Sequence, residues 1–236
     1  YGSEELLGEF IKSNGLQKEI IILTKLSSLE GELGYEKAIR HNVEQSLKLL
    51  GSNIEVLFFH NPEDSLLMLK EQNFFNTILA EYPLSDIGVS VYEPKEVFRL
   101  SDCALQPVYQ FPFNVLDRRF EQVKMPLGKR YARSIFLQGM LASEGKIRPN
   151  APKELQILQK KYHEYLKSQQ GLDSVIFALS FVATHKALDY FLVGVETKEQ
   201  LQEIINIHVD GRKDFFPFED IDLKNAEKWL DPRNWN

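Results

Sequence analysis

Residues 35–60 read YEKAIRHNVEQSLKLLGSNIEVLFFH, and they carry the clearest signal of the fold class. In residues 35–50, apolar side chains recur at intervals of three and four, which predicts an amphipathic helix. Gly51 follows this pattern, and the apolar run 54–60 has the β-branched and aromatic composition of a buried strand. The stretch therefore predicts a helix that leads into a strand of a parallel sheet.

The same pairing recurs along the chain. Strands are predicted at residues 19–25, 54–60, 86–91, 104–111, 130–136 and 190–195. Helices are predicted at residues 4–12, 35–50, 63–80, 93–100, 151–168, 172–184 and 198–207. Alternation of this kind predicts an α/β fold whose parallel strands are joined by right-handed crossovers.

Six strands are two fewer than the eight that close a (β/α)8 TIM barrel. The sequence starts with Tyr1-Gly2 immediately before a helix, so we expect the first two strands to be absent from the given sequence. Residues 1–214 are predicted to form this N-terminally incomplete barrel. Residues 215–236, which include Trp229 and Trp235, are predicted to be a C-terminal extension packed on it.

Composition excludes several classes of protein. The 28 Lys and Arg residues are outnumbered by 34 Asp and Glu residues and form no dense basic run, so a nucleic-acid partner is not expected. Cys103 is the single cysteine, which rules out an intrachain disulfide and a thiolate metal cluster and favours a cytoplasmic protein. The apolar runs are too short to span a bilayer, so no membrane partner is expected.

Two residues at the predicted strand ends have side chains suited to catalysis. Lys25 ends the first strand and His60 ends the second, and the active site of a parallel barrel lies at such ends. Lys25 could equally be a strand-end lysine that reaches solvent, and His60 a hydrogen-bonded core residue. Tyr1, itself explicable as a frayed terminal residue, has an ordinary pKa of about 10, which a nearby lysine would lower toward neutrality. Together the three side chains could protonate a developing alkoxide.

The order of these residues resembles the aldo-keto reductase superfamily, in which Tyr-Gly precedes a helix, Thr-Lys ends the next strand and His-x-Pro ends the following one. Further segments resemble the family's strand-end motifs over nearly the whole chain: IGVS at 87–90, QFPFNVL at 110–116, ARSIFLQG at 132–139 and VGVETKEQL at 193–201. Residues 90–92 and 132–139 are also similar to a bacterial subgroup associated with sugar or polysaccharide metabolism.

The resemblance implies a reductase that binds NAD(P)H in extended form without a Rossmann fold, which agrees with the absence of a G-x-G-x-x-G motif. It implies that Tyr1 donates the proton, that Lys25 lowers the pKa of Tyr1 and that His60 orients an aldehyde or ketone. Ser90 and Gln110 would bind the nicotinamide carboxamide. The other cofactor contacts implied are Arg133, Ser134, Phe136, Gln138, Gly139, Gly194, Glu196 and Gln200, and no metal is implied.

The sequence departs from the family pattern at several positions. The acidic partner of the catalytic lysine would precede Tyr1 and is absent from the given sequence. Val91 replaces an asparagine that contacts the carboxamide, and Arg133 replaces an aromatic residue that stacks on the nicotinamide. After the last strand, Gly194, Glu196 and Gln200 stand where cationic side chains commonly bind the 2′-phosphate of NADP. Glu196 would repel that phosphate unless Lys198 compensates, so we expect relaxed or NAD-leaning cofactor use.

Three functions remain in order of preference. The first is an NAD(P)-dependent oxidoreductase acting on a carbonyl compound that could be sugar-derived. The second is an aldo-keto-reductase-like binding or regulatory protein without turnover, which the departures at positions 91 and 133 favour. The third is an unrelated TIM-barrel enzyme of phosphate chemistry, which ranks last because no Gly-rich phosphate loop is present. The substrate and the oligomeric state stay open, because pocket loops vary freely on this fold.

Overall fold

The computed structural model describes residues 2–27, 29, 34–125, 128–143, 151–169, 172–207 and 227–235. Tyr1 and the predicted boundary between residues 214 and 215 lie outside these ranges, and the predicted domain assignment stays a prediction. The chain divides into two compact units. The first comprises Tyr1–Gln110 and Lys124–Lys129, and the second comprises Phe111–Val123 and Arg130–Asn236.

The first unit contains parallel strands that pair in the order of the sequence. Thr24 lies opposite Leu57, Phe58 lies opposite Gly88, and Ser90 lies opposite Gln110. The strands are β1 (Leu23–Leu26), β2 (Ile54–Phe59), β3 (Leu84–Ser90) and β4 (Val108–Pro112), the last of which continues into the second unit. The helices are α1 (Ser3–Asn14), α2 (Tyr35–Leu50), α3 (Leu67–Lys70), α4 (Gln72–Glu81) and α5 (Pro94–Phe98).

Helix α1 packs closely against α2. A Cβ atom added at Gly8 would lie 1.8 Å from the carbonyl oxygen of Leu49, so no side chain fits there without movement of the backbone. Ile11, one turn further along, is completely buried. Both helices end at a glycine with left-handed backbone, Gly15 and Gly51, whose amides bond to carbonyls of the last turn.

The second unit follows the same rule of parallel pairing. Strand β5 (Arg130–Arg133) pairs with β6 (Tyr190–Phe191), and Tyr131 lies opposite Tyr190. Helices α6 (Lys153–Ser168) and α7 (Ser174–Ala183) connect them, and α8 (Lys198–Asn206) follows β6. Asp173 caps α7 by accepting hydrogen bonds from the amides of Val175 and Ile176, both at 2.9 Å. The pairing in both units confirms the predicted α/β class.

Several element boundaries differ from the predictions. The strand predicted at 19–25 starts only at Leu23, because the preceding residues form a turn whose carbonyl acceptor is Leu16. The strand predicted at 104–111 starts at Val108, after Gln106 adopts a φ of 47°. The single helix predicted at 63–80 is interrupted at Glu71, whose φ of −120° and ψ of 41° are not helical.

The two strands of the second unit are shorter than predicted. The strand predicted at 130–136 ends at Arg133 because Ser134 has a φ of 58°, which is incompatible with an extended chain. The strand predicted at 190–195 comprises only Tyr190–Phe191. In the predicted C-terminal extension, the described residues form two short 3-10 turns, Glu227–Leu230 and Pro232–Asn234. Among the described helices, none is long and apolar enough to cross a bilayer.

Candidate active site

Three of the predicted site residues in the first unit form a chain of hydrogen bonds at the strand ends. The Lys25 Nζ atom donates to the Ser90 Oγ atom at 3.4 Å, and this hydroxyl donates to Gln110 Oε1 at 3.5 Å. Ser90 is completely buried and Gln110 is 4% exposed, whereas Lys25 is exposed. Both distances lie at the long end of the range for hydrogen bonds. The parallel register produces the cluster, because it places Ser90 opposite Gln110.

His60 directly follows β2 and is exposed. The neighbouring departure from the family pattern, Val91, is completely buried, and its amide donates to the Gln110 carbonyl at 2.8 Å. The backbone at position 91 therefore continues the pairing of β3 with β4, while the side chain carries no polar group into the site.

Sequence reasoning missed a carboxylate that contacts the strand end. Glu4, in the first turn of α1, accepts a hydrogen bond from Thr24 Oγ1, and Thr24 immediately precedes Lys25. The Ser46 hydroxyl on α2 also donates to Glu4, at 2.9 Å from Oε1 and 3.2 Å from Oε2. Nothing in the local sequence of α1 signals these partners, since they lie 20 and 42 residues away.

The second unit contains a cavity of about 740 Å³. Its walls are the loop after β5, residues of α7 and its cap, and the loop after β6 with the start of α8. Seven of the predicted cofactor residues line it: Ser134, Phe136, Gln138, Gly139, Gly194, Glu196 and Gln200. Arg133 does not line it, and its Nη1 atom donates to Ser134 Oγ at 3.3 Å. The structure thus brings together two sequence segments more than fifty residues apart.

The loop after β5 has an unusual backbone. Ser134, Leu137 and Gln138 have φ values of 58°, 43° and 56°, and Gly139 has a φ of 86°. Left-handed conformations at residues other than glycine cost on the order of 1 kcal/mol or more and cluster at functional sites. The Leu137 amide donates to the Ser134 carbonyl at 2.9 Å, which holds the first turn of the loop.

Three amides of this loop are potential anion donors. Within the described residues, the N–H groups of Phe136, Gln138 and Gly139 donate no hydrogen bond. Consecutive amides in a tight loop form a concave surface that suits a phosphate group. Among the described residues of this loop that line the cavity, none has a cationic side chain.

The cavity is lined by carboxylates. Asp173, Glu196 and Glu203 belong to its walls, whereas no Lys or Arg is among the described residues that line it. The Asp173 carboxylate is engaged as the helix cap of α7. Glu203 was missed by sequence reasoning, although it lies three residues after Gln200 and so on the same face of α8. Lys198, which could have compensated Glu196, does not line the cavity.

A hydrogen-bonded turn orients the loop after β6. The Glu196 amide donates to Gln200 Oε1 at 2.8 Å, and the Gln200 amide donates to the Thr197 hydroxyl at 3.2 Å. Thr197 thereby caps α8, and the Gln200 side chain fixes the backbone at Glu196. Because the Gln200 oxygen is engaged, its amide NH2 is the group that remains to contact a ligand.

Comparisons with known protein families and with solved structures both found matches. The profile of the Aldo/keto reductase family matches residues 1–214. The structure is similar to that of aldo-keto reductase AKR11C1 from Bacillus halodurans in its holo form, at a TM-score of 0.66 and 17% identity, covering 96% of this chain and 75% of that one. The apo form of the same protein matches at a TM-score of 0.66 and 18% identity, over 96% and 76% of the two chains.

No curated protein matches the sequence significantly. The structural matches confirm the predicted fold class, the barrel-type α/β fold of aldo-keto reductases. The profile covers far more than half of the sequence and confirms the predicted superfamily. The chain therefore belongs to the aldo/keto reductase family.

Proposed function

We propose that the chain is an NAD(P)H-dependent oxidoreductase that reduces an aldehyde or ketone to an alcohol. One observation carries the proposal: seven of the residues expected from the resemblance to contact the cofactor, in two distant segments, line a single cavity. Its volume of about 740 Å³ lies in the range of ligand sites. Membership of the family supports the same reaction class.

The proposed chemistry assigns a role to each residue of the first unit. A bound nicotinamide would supply the hydride. Tyr1 would donate the proton to the carbonyl oxygen, and the Lys25 ammonium would lower the pKa of Tyr1 by stabilising the phenolate. His60 would hydrogen-bond and orient the carbonyl oxygen. Ser90 and Gln110, already linked to each other, would hold the carboxamide so that one face of the ring meets the substrate.

The second unit contains its own set of candidate cofactor contacts. The loop amides of Phe136, Gln138 and Gly139 suit a phosphate, and Ser134 and Gly194 lie on the same cavity. Arg133 directly precedes Ser134, which lines the cavity. Its guanidinium would stack on the nicotinamide or attract an acidic group of the substrate. Sugar-derived aldehydes are the first substrate class to test, because of the subgroup resemblance at residues 132–139.

The proposed cofactor is NADH in preference to NADPH. Glu196 and Glu203 can accept hydrogen bonds from ribose hydroxyls, whereas each of these exposed carboxylates would repel a 2′-phosphate beside it by about 1 kcal/mol per unit charge, the value for about 4 Å in water. Wild-type protein should therefore bind NADH more tightly. Glu196→Gln and Glu203→Gln should each improve NADPH binding by roughly fivefold. Glu199→Gln, on the same helix but outside the cavity lining, is the matched control.

Cofactor binding by the full-length protein can be followed by quenching of intrinsic fluorescence, and turnover by consumption of NADH on a panel of aldehydes and sugars. Tyr1→Phe should abolish reduction and leave cofactor binding intact, as should Lys25→Met. Activity that survives Tyr1→Phe would exclude the assigned proton donor. A large NADPH advantage in the wild type would exclude the assigned cofactor preference.

A second candidate is a protein that binds the cofactor without turnover. The buried Val91, which offers the nicotinamide no amide, favours it. Tight NADH binding with no consumption of NADH on any carbonyl compound would select this function.

We also propose a cytoplasmic location, since the single cysteine Cys103 is buried and unpaired with another cysteine; cell fractionation would test it.

A further inference from the structure

Two side chains of α6 donate hydrogen bonds to backbone carbonyls of the loop after β5. The Gln159 Nε2 atom donates to the Met140 carbonyl at 3.1 Å and to the Ser143 carbonyl at 3.2 Å. The His163 Nε2 atom lies 3.2 Å from the same Met140 oxygen. Because a carbonyl oxygen only accepts hydrogen bonds, this imidazole nitrogen carries a proton, and the Gln159 amide directs its nitrogen toward the loop.

Both side chains are buried among the residues of the second unit. Gln159 and His163 are each 5% exposed, and Met140, whose carbonyl they share, is completely buried. The two donors lie four residues apart and therefore on one face of α6. A buried polar group without its partner costs its full desolvation free energy, so these bonds are expected to persist in the folded protein.

The backbone at Met140 is linked in turn to the part of the loop that lines the cavity. The Met140 amide donates to the Leu137 carbonyl at 3.1 Å, and the Leu141 amide donates to the Phe136 carbonyl at 3.1 Å. In a planar trans peptide the C=O and N–H groups point in opposite directions, so the bond to the Leu137 carbonyl also fixes the direction of the Gln138 N–H. A displacement of Met140 would therefore change the backbone of the cavity wall.

The loop backbone needs contacts of this kind. Leu137 and Gln138 have φ values of 43° and 56°, a region that residues other than glycine rarely adopt. Such conformations persist only where the surrounding structure determines them. The bonds from Gln159 and His163 reach the loop from outside it and so contribute to that determination.

We infer that Gln159 and His163 are positioning residues, which keep the loop after β5 in the conformation proposed to bind a phosphate of the cofactor. They act through the Met140 carbonyl, since neither is among the residues that line the cavity. The inference rests on the proposed function, because it requires this loop to bind that phosphate.

The positioning role predicts a loss of affinity with little change in turnover. If the loop occupies its binding conformation for only part of the time, the apparent affinity for the cofactor falls by that fraction. The proposed reacting groups belong to the first unit, so kcat at saturating NADH should be kept. A general loss of folded protein has a different effect, because it lowers the apparent kcat and leaves the KM for NADH of the remaining molecules unchanged.

The test compares Gln159→Met, His163→Phe and His163→Gln in the full-length protein. Gln159→Met and His163→Phe remove donors to the Met140 carbonyl and keep an apolar side chain of similar size. Each should raise the KM for NADH by about fivefold, the effect of roughly one lost hydrogen bond, and keep kcat within about twofold of wild type. The Kd of ADP-ribose, which carries both phosphates and no nicotinamide, should rise equally in calorimetric titration.

Two variants serve as controls. His163→Gln places a donor nitrogen near the position of the imidazole Nε2 atom and should recover most of the lost affinity. Gln156→Met makes the same exchange as Gln159→Met at an exposed position of α6, where the side chain donates to the Ala151 carbonyl at 2.8 Å. It should match wild type.

An unchanged KM for NADH and an unchanged Kd of ADP-ribose in Gln159→Met and His163→Phe would overturn the positioning role and leave the proposed function intact. A lower kcat at an unchanged KM would also overturn it, since only stability would then be affected. Should Gln159→Met fail to fold, His163→Phe carries the same test, because both bonds of Gln159 remain.

The wild type separates this inference from the proposed function. Binding of ADP-ribose that weakens in both variants, with no reduction of any carbonyl compound, would overturn the proposed reaction and support the positioning role. A wild type that binds neither NADH nor ADP-ribose would overturn both.

Discussion

Replacing Gly8 with alanine should destabilise the first unit. The new Cβ would lie 1.8 Å from the Leu49 carbonyl oxygen, about 1.6 Å short of an ordinary contact at 3.4 Å. Helix α1 would have to recede, and overpacking of this kind costs about 1–3 kcal/mol. Alanine recovers up to about 1 kcal/mol of helix propensity, while Ile11 would lose part of a burial that contributes about 2 kcal/mol. The expected net loss is about 1–3 kcal/mol.

Far-UV circular dichroism during urea unfolding should measure this loss. Trp229 and Trp235 both belong to the second unit, so tryptophan fluorescence would report mainly on the other part of the chain. Gly34→Ala is the matched control, since a Cβ there meets no atom within 4 Å, and its effect should stay within about 0.5 kcal/mol. Equal midpoints for the two variants would refute the close approach of α1 to α2.

Three further changes test other parts of the structure. Val91→Asn places an amide at a completely buried position and should cost about 2 kcal/mol in urea unfolding; a neutral result would mean that the site accommodates the asparagine of the family. Asp117→Asn removes the negative charge and one of the two buried oxygens that accept from Arg119 Nε at 2.8 Å and Nη2 at 2.7 Å. It should cost about 2–4 kcal/mol at pH 7, and a loss below about 1 kcal/mol would contradict the pair. Hydrogen bonds from Arg130 lower the pKa of Asp189, so its stabilisation is present at pH 7 and lost as the pH falls below about 4. Asp189→Asn should therefore lower the free energy of unfolding by less than about 1 kcal/mol at pH 7 and by a smaller amount at pH 3, as measured by thermal unfolding at the two pH values; an equal effect at both would contradict the ion pair.

Periodicity predicted the elements whose structure depends on local packing. Helix α2 begins and ends where the spacing of residues 35–50 predicts, and β2 ends one residue before the predicted limit. The break at Glu71 was not predicted, because the apolar spacing continues across it while the backbone leaves the helical region.

The part of the candidate site that follows the strand ends could be predicted, because motifs resembling those of the family specify the residue types there. Seven residues proposed as cofactor contacts, in the loops after β5 and β6, came from such motifs and line one cavity. The left-handed backbone of the loop after β5 could not be predicted from the motifs, because neither Leu137 nor Gln138 is a residue type that signals positive φ. Glu4 was equally invisible, because its hydroxyl partners are brought to it by tertiary packing and not by helical spacing.

The two walls of the cavity differ in how they can be redesigned. The loop after β5 has left-handed backbone at residues 134, 137 and 138, so β-branched substitutions there would distort the wall itself. The wall formed by the loop after β6 and by α8 contains Glu196, Gln200 and Glu203. Gln200 and Glu203 belong to a helix, where one side chain can be replaced by another without a change in the backbone. Substitutions that test the proposed cofactor preference should therefore be confined to α8 and the loop before it, with the loop after β5 left unchanged.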